Sequence, residues 1–246
     1  MTTPRISVII PAFQMGCFLR DAVASIRRQQ PAVSEMIVID SGSTDETLDI
    51  VHALAADGAP VCLIELDRCP PGAARNAGLK NATGDLVAFL DADDLWPANK
   101  LARQVSYLQA HPDTSAVSGF VTYFDELDRA TLMPAAAARV ETMFGVHVGA
   151  WIYRRDVFDR LGAFDESFLY SEDVDLLMRI RENRVPFTIL RDVTLYYRRH
   201  PNSMMSQNNP RKHSDFRMAV ARSLARRRGY NAAPTDLGSL EQFLEA

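Results

Sequence analysis

Cysteine is scarce in this sequence: Cys17, Cys62 and Cys69 are the only three in 246 residues. An odd number of thiols without the paired short spacings of a zinc site fits a reducing compartment better than a disulfide framework. Long apolar runs are also missing. Nothing approaches the ~18 to 20 residues that cross a bilayer, and the N-terminus enters a strand-like run with no signal-peptide pattern, so cytoplasmic placement is expected. There is no glycine-rich or lysine-rich phosphate loop, which argues against nucleotidyl and other Mg2+-dependent phosphoryl transfer. Net acidity, -4 at pH 7, and a basic stretch with no binding motif argue against a nucleic-acid partner.

With 47% hydrophobic and 24% charged residues, the composition is that of a folded chain with enough apolar side chains for a core. The charge is uneven. From Arg198 to Arg228 there are nine Lys/Arg and one acid, Asp215.

Residues 6–10 (ISVII), 36–40 (MIVID), 61–66 (VCLIEL) and 86–90 (LVAFL) are short and apolar, as buried strands are. Helical segments lie between them: 18–28 with Leu19, Val23 and Ile26 on one face, 44–56 with Leu48, Val51 and Ala55, and the alanine-rich 72–80. Ser43 or Thr44, ahead of Asp45 and Glu46, reads as a helix cap, and a further helix is predicted from Pro97 to about Ala110. Four alternations of strand and helix predict an α/β fold with a mixed, mainly parallel sheet and helices on both faces.

The second half is less regular. Residues 116–124 and 146–153 read as extended, 135–138 are featureless, and 187–197 form one or two strands. Residues 171–182 predict a helix carrying Val174, Leu177, Met178 and Arg181 at helical spacing. Residues 211–229 predict a basic amphipathic helix with Phe216, Val220 and Leu224 in one row, and 236–243 a short one. With no linker between halves, one domain over 1–206 with a helical extension over 207–246 is expected.

In an open parallel sheet the ligand crevice lies beyond the carboxyl ends of the strands. Those ends are Pro11-Ala12-Phe13, Asp40-Ser41-Gly42-Ser43 and Asp91-Ala92-Asp93-Asp94. Asp91 and Asp93, two apart behind a strand, can converge on one point and suit Mg2+ or Mn2+ shared with substrate phosphates. Turn formation and capping of the next helix are the competing uses of such aspartates.

The motifs themselves carry a resemblance. SVIIPAF (7–13), IVIDSGSTDET (37–47), GAARNAG (72–78), GDLVAFLDADD (84–94), RRDVFDRLGAFDE (154–166), SEDVDLLMR (171–179) and YRRHPNS (197–203) occur in an order that resembles family 2 glycosyltransferases of the GT-A fold. The resemblance implies an inverting enzyme that moves a sugar from a nucleoside-diphosphate donor, with UDP favoured, to a hydroxyl of a glycan or lipid-linked acceptor. It makes 1–110 the donor half and 111–206 the acceptor half.

It also implies roles. Pro11, Ala12, Phe13 and Ala92 would line the donor; Asp40 would accept a hydrogen bond from the nucleobase; Arg75 would reach base or diphosphate, with Asn76 orienting the loop. Asp91 would contact the ribose or help place the Mn2+ or Mg2+ ion, Asp93 would bind that ion, and His200 would complete the metal shell or touch the diphosphate. Arg198 and Arg199 would supply charge to the diphosphate. Asp173 would be the general base, with Glu172 supporting it or binding acceptor. Trp151, with Gly149 and Ala150, would line the acceptor side or belong to the core.

Ser41 stands where a second Asp often follows Asp40, and Gln14 where Asn is frequent, which softens the uridine expectation. The carboxylate set of Asp91, Asp93 and Asp173 argues against a binding module without turnover, which needs no base. The 211–229 helix either rests on anionic lipid at the inner face of a membrane or packs its apolar row on the domain.

Overall fold

The computed structural model describes residues 3–229 and 237–245. In chain order it contains β1 (Ile6–Ala12), α1 (Gly16–Arg27), β2 (Glu35–Asp40), α2 (Thr47–Ala56), β3 (Val61–Glu65), α3 (Pro71–Asn81), β4 (Leu86–Phe89) and α4 (Lys100–Ala110). There follow β5 (Ala116–Phe124), β6 (Leu127–Asp128), β7 (Met133–Pro134), β8 (Glu141–Met143), β9 (Ile152–Arg154), α5 (Asp156–Leu161), α6 (Glu172–Glu182), β10 (Phe187–Arg198) and α7 (Arg211–Gly229).

The main sheet runs β10-β5-β9-β4-β1-β2-β3, with β8 paired to β5. β1 through β4 are mutually parallel, β10 is parallel to β5, and only β9 and β8 run against their neighbours. This is the mixed, mainly parallel α/β sheet that strand-helix alternation predicts. β1, β2 and β4 carry apolar side chains on both faces because helices cover both, and Val8, Ile9, Val38, Val87 and Phe89 have no exposed surface. Each such burial stabilises the fold by roughly 1.5–3 kcal/mol. Gly78 on α3 faces Ile9, where any Cβ would overlap the isoleucine side chain. Its absence lets α3 lie directly on β1 and sets the depth at which Arg75 enters.

Several expected elements differ. α2 starts at Thr47, because the Ser43 and Thr44 hydroxyls accept hydrogen bonds from Gln14 N (2.9 Å) and Gln14 Nε2 (2.8 Å) rather than capping a helix. α4 starts at Lys100, not Pro97. Residues 148–150 form a 3-10 turn, so only the end of 146–153 is strand. Residues 187–198 make one strand.

The helix α6 buries Leu176, Leu177 and Ile180, with Asp175 and Glu182 beside them, instead of a Val174–Met178 face. On α7 the expected apolar row is outward: Phe216 and Leu224 are exposed while Asp215, Ala219 and Ser223 are buried. Leu240–Phe243 forms a 3-10 turn whose Phe243 ring stacks on Phe187 at 4.0 Å; the expected helix start at Asp236 lies outside the described residues. Among the described residues no helix is long and apolar enough to cross a membrane, and all three thiols are free.

Candidate active site

Register brings the polar strand ends to one edge. Ala12 lies opposite Asp40, and Asp40 opposite Glu65. Asp91 follows two residues after β4, and the parallel β10 ends at Arg198, just before His200. A bridge between Leu95 and Tyr196 ties the turn after β4 to that last strand.

His200 Nε2 consequently sits 3.0 Å from Asp93 Oδ2, joining two residues 107 apart in sequence. The imidazole packs against the Phe18 ring at 4.5 Å, and its Nδ1 is buried without a partner. Asp94 carries the bracing function: its Oδ1 accepts from Arg198 N at 2.9 Å. Burial first, then Asp93 and Asp91, push the Asp94 carboxyl well above the usual carboxylate range.

Arg75 occupies the centre. Its Nη2 donates to Asp91 Oδ1 and its Nη1 to Glu172 Oε1, both at 2.5 Å. Burial opposes this guanidinium's charge, but Asp91 and then Glu172 outweigh it and raise the pKa overall. One side chain thereby holds the Asp91–Asp93 turn beside the acid-bearing start of α6. Both terminal nitrogens expected to reach a donor are engaged by carboxylates. Asn76 is engaged similarly: Oδ1 accepts from Phe164 N, and Nδ2 donates to Phe164 O and Glu166 Oε1, so its amide fixes the 164–166 loop.

The start of α6 is reached through Ser171, held in the left-handed region at φ 68° with no side-chain cap. Asp215 of α7 fixes the preceding backbone, its Oδ2 accepting from Leu169 N and Tyr170 N at 3.0 Å each. Burial raises the carboxyls that follow, Glu172 to about 7 and Asp173 to about 6, against the opposing charge of Arg75. Asp91 adds to the rise at Asp173.

Asp40 is buried at the end of β2. Its Oδ2 accepts from Gly42 N and Ser43 N, whereas Oδ1 is buried and unpartnered. At the end of β1, the Arg68 guanidinium lies 3.4 Å over the Phe13 ring. Pro11 and Ala12 occupy the same strand edge.

The two arginines before His200 separate. Arg198 is buried, paired with Asp21 at 3.1 Å and set over Phe18; Arg199 is half-exposed, paired with Glu141 at 2.7 Å and set over Tyr123. Trp151 belongs to the core, stacked on Tyr153 at 5.8 Å.

Sequence reasoning did not find the cluster of Tyr123, His147 and Tyr197. Tyr123 Oη is 2.8 Å from His147 Nε2, and all three rings touch. Burial lowers His147, with Asp91 and Arg75 close enough to act on it, and raises Tyr197. The three residues come from segments without a shared motif, so only the fold reveals the group. A cavity of about 330 Å3, lined by Asp125, Arg139, Arg199, His200, Pro201 and Ser206, shares two residues with the site.

A mainly parallel sheet with an Asp-x-Asp turn, a bridging arginine and an acid-headed helix at its carboxyl edge defines a protein of the GT-A type. The chain matches the glycosyl transferase family 2 over residues 7–162 and belongs to that family.

It is 27% identical over 218 residues to the uncharacterised glycosyltransferase EpsJ of Bacillus subtilis, covering 82% of this chain and 63% of EpsJ. Two solved structures share the fold. TarS 1–349 of S. aureus in complex with UDP-GlcNAc superposes with a TM-score of 0.69 at 22% identity, covering 89% of this chain and 66% of TarS 1–349. The mannosyltransferase PcManGT of Pyrobaculum calidifontis, in complex with GDP-Man and Mn2+, gives 0.67 at 23% identity, covering 95% and 66%. The chain thus spans just under two thirds of the length of EpsJ, of TarS 1–349 and of PcManGT.

Proposed function

We propose that this chain transfers a sugar from a UDP-sugar to an acceptor hydroxyl with inversion at the anomeric carbon, in the synthesis of a polysaccharide, glycolipid or cell-surface glycan. The observation that carries the reading is the Arg75 bridge: its 2.5 Å contacts to Asp91 and Glu172 support reading the acids after β4 and those opening α6 as parts of one site. Asp173, raised to about 6, is ionised at neutral pH yet basic enough to accept the hydroxyl proton as the new glycosidic bond forms. The nucleoside diphosphate leaves from the opposite face of the sugar. The unpartnered Asp40 Oδ1 is an acceptor suited to an imino N–H such as that of uracil.

The residues fit a divalent cation. Asp93 and His200 are already in contact and Asp91 is on the same turn, giving hard oxygen donors and one borderline nitrogen suited to Mn2+ or Mg2+. Among the described residues no three His, Cys, Asp or Glu side chains are grouped so as to hold a metal ion, and Asp91 Oδ1 is taken by Arg75, so an ion on Asp93 and His200 would need donor phosphates and water as further ligands. Such an ion supplies charge neutralisation at the leaving diphosphate. Arg75 holds Asp91 in place without entering the chemistry.

Calorimetry with a panel of sugar nucleotides in Mn2+ or Mg2+, paired with a turnover assay, tests this. Asp93→Ala abolishes metal-dependent donor binding. Asp173→Asn leaves donor affinity nearly unchanged and lowers transfer by about 10² to 10⁴-fold. Wild-type turnover by Asp173→Asn would refute the assigned base, and no metal-dependent binding of any sugar nucleotide would refute the donor class.

A further inference from the structure

We propose that the outward face of α7 docks on an anionic lipid bilayer. The helix turns its small and polar side chains inward. Asp215, Ala219 and Ser223, spaced four apart, are buried. Two of its arginines serve the same attachment: Arg226 Nε pairs with Glu182 at 2.6 Å and its Nη1 with Asp175 at 3.0 Å, while Arg222 Nη1 pairs with Asp165. Polar anchoring on one side leaves the apolar residues of the helix on the other.

Phe216 is 50% and Leu224 41% exposed, with half-buried Val220 between them in the same row. Met205, 57% exposed, adjoins the start of this row, because Lys212 Nζ donates to Met205 O at 2.6 Å and Lys212 lies one turn before Phe216. Arg217 beside the row and Arg228 at its end are exposed. Asp215, the helix's single acid, is buried and committed to Leu169 N and Tyr170 N. The face therefore presents two exposed apolar side chains and a half-buried valine, edged by positive charge with no acid on it, so anionic headgroups are attracted to a surface where Phe216 and Leu224 can leave water.

A second copy fits this face less well. Two such stripes meeting would bring like charges together, and three side chains and a methionine fall short of the roughly 800 Å2 per partner of a stable dimer. Position gives docking a consequence. Asp215 fixes the backbone leading into Glu172 and Asp173, so a membrane held against α7 bears on the helix that braces the start of α6. The docking inference stands on the α7 surface alone and does not depend on the proposed reaction.

Sedimentation of the full chain with vesicles tests it. Phosphatidylcholine vesicles containing phosphatidylglycerol pellet the protein, those of phosphatidylcholine alone do not, and rising salt weakens binding. The Phe216→Ser, Leu224→Ser double variant loses binding by on the order of tenfold or more. Arg217→Gln with Arg228→Gln loses it several-fold along with most of its salt dependence. Both variants keep the wild-type melting temperature and the donor hydrolysis of the soluble enzyme.

Failure of the wild type to pellet with phosphatidylglycerol vesicles overturns the proposal, as does wild-type binding by the apolar double variant. A dimer in sedimentation velocity that dissociates in that variant assigns the face to a second copy and overturns it equally. Donor hydrolysis is read separately, so either idea can fail without the other.

Discussion

The sheet formed by β1, β2 and β4 and the seam between α6 and α7 hold together by different physics. In the sheet, Val8, Ile9, Val38, Val87 and Phe89 are fully buried, and stability follows from apolar area removed from water. In the seam, Asp175 and Glu182 are buried against Arg179 and Arg226, and small residues let the helices approach. Hydrophobic burial is non-directional, so many sequences satisfy it. A buried carboxylate needs a cation or hydrogen-bond donors at the right place, so the seam fixes orientation more than it adds stability. Glu172 and Asp173 lie at the start of α6, where Arg75 ties that helix to the turn after β4.

Arg75 is the place to break that division. Arg75→Met removes the cation between the sheet-side Asp91 and the helix-side Glu172, leaving Glu172 buried without compensation. We expect a loss of about 3 kcal/mol at pH 8 by urea denaturation, below the full value for a closed pair because Asp91 is 39% exposed. The loss shrinks at pH 5. Glu172 already titrates near 7 and rises further without Arg75, so at low pH it is protonated and carries no unpaired charge.

The seam is tested by Arg226→Gln. Asp175 keeps Arg179, whereas Glu182, 5% exposed in its side chain, loses the partner 2.6 Å away. About 2 kcal/mol is expected, with faster amide exchange in α6 and α7 and unchanged exchange in β1, β2 and β4. Equal changes in both regions would show that the two do not open independently.

The smallest effect is in the pH profile of transfer. As the proposed base, Asp173 must be ionised to accept a proton, and its pKa is raised to about 6. Activity therefore holds above that value and falls about tenfold per unit below it. An acid limb near 4, with full activity at pH 5, would mean that the base is an exposed carboxylate elsewhere.

Much of the fold over residues 1–110 was legible before the structure. Apolar runs of five or six residues, alternating with helical spacing, place β1 to β4 because only chain-local pattern decides them. Asp40, Asp91 and Asp93 follow as strand-end acids from the crevice rule. Helix starts were less secure: Ser43 and Thr44 look like caps, yet Gln14 from another loop takes their oxygens.

What the sequence by itself determined is the alternation that makes the sheet, the ordered motifs that mark the family, and which strand ends carry acids. Tertiary structure alone decided that Arg75 faces Asp91 and Glu172, that His200 meets Asp93, that Tyr123, His147 and Tyr197 gather, and that α7 turns Phe216 and Leu224 outward. The reason is the range of the forces. Propensity and apolar periodicity act over one or two turns and are written locally, whereas the contacts of Arg75 and His200 join residues 16 to 107 positions apart and exist only once the chain has closed on itself.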